Sequence, residues 1–432
     1  MNNPVIYTQT NVFQDHIVVK LKVGFMLQKN ESFSDGVNKL IETISFGRKG
    51  EFDLERKGAR EEYQVKVIGF DYDDSSYKND EVTGSIQIAL PIKLCTINQG
   101  IPHIFASIMY ASVYSFINEY QVTDIQFPDV YLKHLPKPKY GTSIFSDDEN
   151  KLKIGLILKP RSIINANIAS KFIYKAGQAG VDYISDDELT IDPPEWRFKD
   201  RIPFIKNLLL ELESETGKSI KYIANISGSY DTSMKLAKIA EDNNVDGIMV
   251  NTITMGYDVI QNLAKNKRFK PFIVANVIGR NLMAGGTKYL VADYIHSFLA
   301  RVSGADAVYT GPFVGNVKSR NEKASHFIWA LTDSLSKKYP VKTSYAVMSG
   351  GLEPKNLLEN WRIYQSPVMF SLGHSLCNLI NQDISIVLVL KIIKTVFDAE
   401  KKGGAEEVER DITQLAASDK NYLQILNILG WK

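Results

Sequence analysis

Two short β-rich runs each end in ionisable side chains. Lys159 closes IGLILKP at 154–160, and Asp186, Asp187 and Glu188 close VDYISDDEL at 181–189. A cation facing paired carboxylates can move a proton, and carboxylate oxygens are ligands of the kind Mg2+ takes. The competing reading of the three acids is the first turn of a helix, where carboxylates favour the dipole. Lys159 on the neighbouring run favours a site. Between the runs Ile168, Phe172, Ile173 and Ala176 recur at helical spacing, so the stretch reads strand, helix, strand. Parallel α/β enzymes gather reactive groups at the carboxyl ends of their strands, which is where these side chains fall.

That unit is the first of a series. Apolar or β-branched runs lie at 152–160, 181–187, 219–227, 245–252, 271–279, 305–311, 343–349 and 367–372, each followed by a helical segment, such as 321–339 after the sixth. Eight such units match an α/β fold of the (β/α)8 TIM-barrel type, with an open doubly wound sheet as the alternative. The strand ends carry Lys159, Asp187, Glu188, Asn225, Ser227, Asn251, Asn276, Arg280, Thr310, Ser349 and His374. A single Asn or Ser there can simply cap the next helix, but stability alone does not need a polar ring around a barrel mouth. Ahead of the barrel, strands at 16–25, 60–73, 83–94 and 122–128 and helices at 34–46 and 101–118 give the order βαββαβ. That is the order of a ferredoxin-like α+β domain. The stretch 134–150, rich in Pro and turn-forming residues, reads as a linker. The expected division is therefore residues 1–140 and 150–432, with helices closing the chain.

Composition excludes several function classes. Lysine and arginine (51) nearly balance aspartate and glutamate (49), and no dense basic run occurs, so no nucleic-acid partner is expected. The longest apolar run, 386–390, is far short of the ~20 residues of a spanning helix, and the N-terminus lacks a signal-peptide layout. Cys95 and Cys377 have neither metal-ligand nor disulfide spacing, which points to a reducing compartment. A cytoplasmic protein without a membrane partner is the expectation. The six histidines are scattered and give no zinc pattern. His296 and His326 fall in barrel helices and read as packing or surface residues; His374, at the end of the eighth run, is the histidine placed for chemistry.

The motifs KPR (159–161), GVDYISDDE (180–188), SGADAVYTG (303–311) and MSGG (348–351), in this order and spacing, resemble the RuBisCO large subunit over nearly the whole chain. The erosion at functional positions is similar to the RuBisCO-like protein branch of that family. The family carries a carbamylated lysine two residues before the aspartate that Asp187 matches, and Ser185 stands there. The resemblance implies Asp187 and Glu188 as Mg2+ ligands, Lys159 as a proton carrier beside the substrate, and Arg161 in place of a second lysine. It also implies Arg280 with Ser349, Gly350 and Gly351 as an anion grip. Ser185 is neutral and short, so Mg2+ is expected to bind weakly or not at all. Asn316 replaces a lysine of the lid after strand 6, with Lys318 close by but not equivalent, Tyr309 replaces a histidine, and 368–374 lacks a glycine run. Glu42 keeps the place of a glutamate that completes a partner subunit's site, without the tryptophan that accompanies it. A homodimer or higher homo-oligomer is implied.

Two readings follow. In the first the chain is a RuBisCO-like enzyme, not a carboxylase, that enolises, isomerises or cleaves a small sugar-derived or sulfur-salvage metabolite with at most one phosphate. In the second it has lost catalysis and keeps the scaffold as a binding or regulatory protein.

Overall fold

The computed structural model describes residues 14–47, 56–73, 80–95, 97–145, 152–162, 164–284, 286–315 and 323–431. Strands β1 (His16–Met26), β2 (Lys66–Tyr72), β3 (Glu81–Pro91) and β4 (Ile117–Gln126) form an antiparallel sheet in the order β4-β1-β3-β2. With helices Phe33–Phe46 and Gly100–Met109 between them, this is the expected ferredoxin-like arrangement. The first helix starts on a capping box in which Ser32 and Asp35 satisfy each other's backbone amides, and it ends at Gly47 in the left-handed region (φ 67°).

The expected second helix, 101–118, is too long. It stops at Met109, tightens into a 3-10 turn over Tyr110–Val113, and β4 begins at Ile117. The β1–β4 register shifts at Lys20/Leu21 and again at Gly24/Phe25, and such bulges break the alternation by which a strand is read. Residues Ala59–Tyr63 form a helical turn where strand was expected.

The eight apolar runs all become strands of one closed parallel barrel. They are β5 (Lys153–Ile157), β6 (Tyr183–Ser185), β7 (Lys221–Asn225), β8 (Gly247–Asn251), β9 (Phe272–Asn276), β11 (Ala307–Tyr309), β12 (Tyr345–Met348) and β13 (Val368–Leu372). The extra strand β10 (Tyr289–Val291) leaves the barrel and pairs in parallel with β4, tying the two sheets together. Tyr183, Met249, Phe272, Tyr345 and Met369 pack inside the barrel. The helix expected over 321–339 covers only Ala324–Thr332 among the described residues. Arg301 Nη2 holds the Asp333 carbonyl at 2.6 Å, the Asp333 carboxylate accepts from Leu335 N at 2.7 Å, and Leu335 takes a positive φ of 61°. These local bonds compete with helix continuation.

The stretch read as a linker closes the floor of the barrel. Tyr140 N and Gly141 N both donate to Asp306 Oδ1 at 2.7 Å. The 3-10 turn Gly141–Ile144 then places Ile144 and Phe145 against the barrel's interior side chains, and residues 146–150 lie outside the described ones. Two helical stretches end the described chain, Ile386–Ser418, broken at Gly404, and Lys420–Ile428. No helix among the described residues is long and apolar enough to cross a membrane. Cys95 and Cys377 are buried and free.

Candidate active site

Adjacent residues of a strand face opposite ways, so Asp187 and Glu188 can share a site only if the strand has already ended. β6 ends at Ser185, and the chain turns immediately, with Thr190 N donating to Asp187 O at 3.0 Å. Asn225, at the end of β7, clamps this turn: its Nδ2 donates to the carbonyls of Asp187 (3.1 Å) and Glu188 (2.8 Å). Asp186 departs from the expected trio. It points outward to Arg201 Nη2 (3.0 Å) and accepts from Tyr222 Oη (2.8 Å) and Asn225 N (3.0 Å), all of it buried. Asp186 is thus an anchor for the turn, and only two of the three acids face the site.

Those two meet Lys159. Its ammonium is in contact with Asp187 Oδ2 and lies 3.9 Å from Glu188 Oε2. Asp187 Oδ1 accepts from Leu189 N at 2.9 Å, so both of its oxygens are engaged. Burial pushes the Glu188 carboxyl above its ordinary range, with the charge of Asp187 adding to the rise and Lys159 opposing it. Burial, and then the Glu188 charge, hold the Tyr309 phenol well above its usual range, so it is a neutral donor.

A cavity of about 510 Å3 opens over these groups, lined by Lys159, Glu188, Ser349, Gly350, Gly351 and His374. Gly350 (φ 101°) and Gly351 (φ 63°) are both left-handed, a backbone that exposes amide groups and that side-chain-bearing residues disfavour. His374 starts the helix His374–Asn381, and Asn378 Nδ2 donates to its Nε2 at 2.8 Å. Gly373 lies against the lysine, where a Cβ would be 3.2 Å from Lys159 Cε. A second cavity of about 240 Å3 shares Glu188, Ser349 and Gly350 and reaches Arg280 and Tyr309.

Two expected residues stand differently. Arg161 is exposed and lines neither cavity, although its carbonyl accepts from Thr190 Oγ1 at 3.1 Å. Arg280 is engaged by the protein through three of its five N–H groups: Nη1 donates to Tyr309 O at 2.9 Å, Nη2 donates to Thr310 O, and Nε faces Asp293 Oδ1 at 3.0 Å. Those three contacts leave one N–H on each Nη, and Arg280 lines the second cavity. Asn316 and Lys318 lie outside the described residues. Glu42 is paired within the chain to Arg60 at 3.0 Å. The residues missed in the sequence are Arg201, Tyr222 and the clamp role of Asn225. Arg201 left one signal, a charge on the apolar face formed by Phe198, Ile202 and Ile205.

Asp187 and Glu188 are the residues that would hold Mg2+, and in this arrangement Lys159 competes for them. Among the described residues no three acidic, His or Cys side chains converge as metal ligands. Ser185 is neutral and its buried Oγ has no hydrogen-bond partner. The Lys159 ammonium already occupies the position of a cation against the two carboxylates.

Lys159, the carboxylates and the glycine loop lie at the carboxyl end of the parallel barrel, the face at which enzymes of this fold carry their active sites. The family model for the ribulose bisphosphate carboxylase large chain, catalytic domain, matches residues 139–373. The chain belongs to the RuBisCO large-chain family, on its RuBisCO-like branch. It is 23% identical over 351 residues to the ribulose bisphosphate carboxylase of Methanocaldococcus jannaschii, covering 76% of this chain and 80% of that one. It is 28% identical over 250 residues to the 2,3-diketo-5-methylthiopentyl-1-phosphate enolase of Geobacillus thermodenitrificans, over 56% of this chain and 58% of that one. The fold superposes on an octameric RuBisCO of Pyrococcus horikoshii with a TM-score of 0.80 at 18% identity, covering 96% of this chain and 94% of that one.

Proposed function

We propose that this chain does not fix carbon dioxide but enolises a small sugar-derived or sulfur-salvage metabolite carrying one phosphate, as the similar enolase's name describes for its own substrate. The observation that carries the reading is that Lys159, Glu188 and the Ser349–Gly351 loop line one cavity. The loop amides and the Ser349 hydroxyl cradle the phosphate. Lys159 donates a hydrogen bond to a substrate carbonyl oxygen, and Glu188 takes the proton from the adjacent carbon as the electron pair moves onto that oxygen. Returning the proton to another carbon would make an isomerase of the same site. Asp187 keeps Lys159 in place. Arg280, engaged by the protein through three of its five N–H groups, leaves the Ser349–Gly351 loop as the main anion grip, which fits one phosphate better than two. No step is routed through a metal. Assembly as a homodimer or larger homo-oligomer is part of the proposal, in line with the octameric neighbour.

The test is deuterium uptake. Incubated in heavy water with 2,3-diketo-5-methylthiopentyl 1-phosphate, with and without Mg2+, the protein is expected to exchange the carbon-bound proton beside the carbonyl. Lys159→Met and Glu188→Gln should each slow exchange by about 100-fold or more. The internal pairing of Lys159 with Asp187 and of Arg280 with Asp293 favours the second reading, a binding scaffold. Tight binding without exchange would select it, and radiolabelled carbon dioxide appearing in phosphoglycerate would defeat both.

A further inference from the structure

We infer that the chain completes this cavity with its own last helix, and that the wall so formed receives an unbranched alkyl or thioalkyl arm of the substrate. The inference rests on the enolase reading for the polar end of the site. Ile428 and Leu429, at the end of the helix Lys420–Ile428, line the same cavity as Lys159 and Glu188, and Leu352 and Leu379 extend the apolar side.

The helix end is built to hold that wall still. Gly430 N donates to Asn427 O at 3.1 Å, Trp431 N donates to Leu426 O at 3.0 Å, and Gly430 takes φ 70°. This paired closure needs a left-handed residue just past the helix. Trp431 packs on the main core, and a Cβ at Gly430 would touch Lys355, which follows the Ser349–Gly351 loop, at 3.4 Å. The anion loop and the apolar wall are therefore neighbours. Leu429 is 4% exposed but Ile428 is 46% exposed, leaving apolar surface beside a polar floor that a ligand with one charged end and one apolar arm would cover.

Calorimetry on the full chain with inorganic, methyl, butyl and hexyl phosphate tests the inference. Affinity is expected to rise by roughly two- to fourfold per methylene from methyl to butyl phosphate, as each group leaves water. Ile428→Ser with Leu429→Ser should flatten that slope and leave inorganic phosphate binding unchanged. Ile428→Ala, at a half-exposed position, should halve the slope and serves if the double variant does not fold. A flat series in the wild type, with inorganic phosphate still bound, would overturn the inference and leave the enolase reading standing. Binding of none of the phosphates would remove the anion grip, and both readings would fall.

Discussion

Lys159 is the residue on which the chemistry and the electrostatics both turn. Asp187 has a side chain 2% exposed, and a carboxylate taken so far from water is tolerated because an ammonium sits against it. Lys159→Met should therefore do two things at once: slow proton exchange by about 100-fold or more, and leave a pair of uncompensated carboxylates that binds Mg2+ more tightly than the wild type does. Calorimetric titration with Mg2+ checks the second effect independently of any substrate. Gly373→Ala is a finer probe, because its Cβ would press on the Lys159 stem and shift the ammonium by a few tenths of an ångström. Exchange is expected to slow about tenfold with little change in the urea midpoint. Ser185→Lys should confer bicarbonate-dependent Mg2+ binding, since the Ser185 hydroxyl makes no hydrogen bond that its replacement would lose. Micromolar Mg2+ affinity in the wild type, abolished by Asp187→Ala, would contradict this account of the charge.

At the scale of elements, the turn after β6 decides whether two neighbouring acids can serve one site. Asp186 and Arg201 hold it from behind, with side chains 1% and 0% exposed. Removing one partner of such a pair leaves a buried charge, so Arg201→Met is expected to cost about 3–5 kcal/mol. The double variant Asp186→Asn, Arg201→Met should cost less than Arg201→Met alone. Urea denaturation of the three proteins reads the difference. Asn225→Ala removes both bonds to the turn and should cost about 1–3 kcal/mol while moving Glu188 off its position.

At the scale of the molecule, His296 lies where the barrel meets the first sheet's helix. Its ring packs edge-on to Phe105 at 5.8 Å, its Nδ1 is 3.0 Å from Tyr257 Oη, and its Nε2 is buried without a hydrogen-bond partner. Burial, helped by the Arg280 charge, pushes its pKa down to about 4. The unfolded chain titrates near the ordinary value of about 6.5, so between the two values the unfolded state binds the extra proton. Stability is thus unaffected above about pH 6.5, falls as the pH drops towards 4, and levels off below it, a loss of about 3 kcal/mol. His296→Gln should flatten that part of the profile, and denaturation at pH 7, 5.5 and 4 checks it.

The eight barrel strands were legible because parallel strands buried on both faces read as continuous apolar runs, a local property of the chain. Strand ends named Lys159, Glu188, Ser349 and His374, and the family resemblance added Gly350 and Gly351; all six line one cavity. The start of bulged β4 and the early end of the helix Ala324–Thr332 were not legible, because pairing partners and local carbonyl capture override periodicity. The acids at 186 and 187 are chemically identical, and only the point where β6 ends sends one to Arg201 and the other to Lys159. Arg280 carries its charge in the sequence, but its partners come from the helix Asp293–Val302 and from the carbonyls at the end of β11. The wall at Ile428 and Leu429 belongs to a helix remote in sequence from Lys159. Residue types and their order settled which groups could do chemistry; closure of the barrel and packing across long separations decided which of them are free to do it, since a charge buried beside a partner is neutralised wherever in the chain that partner comes from.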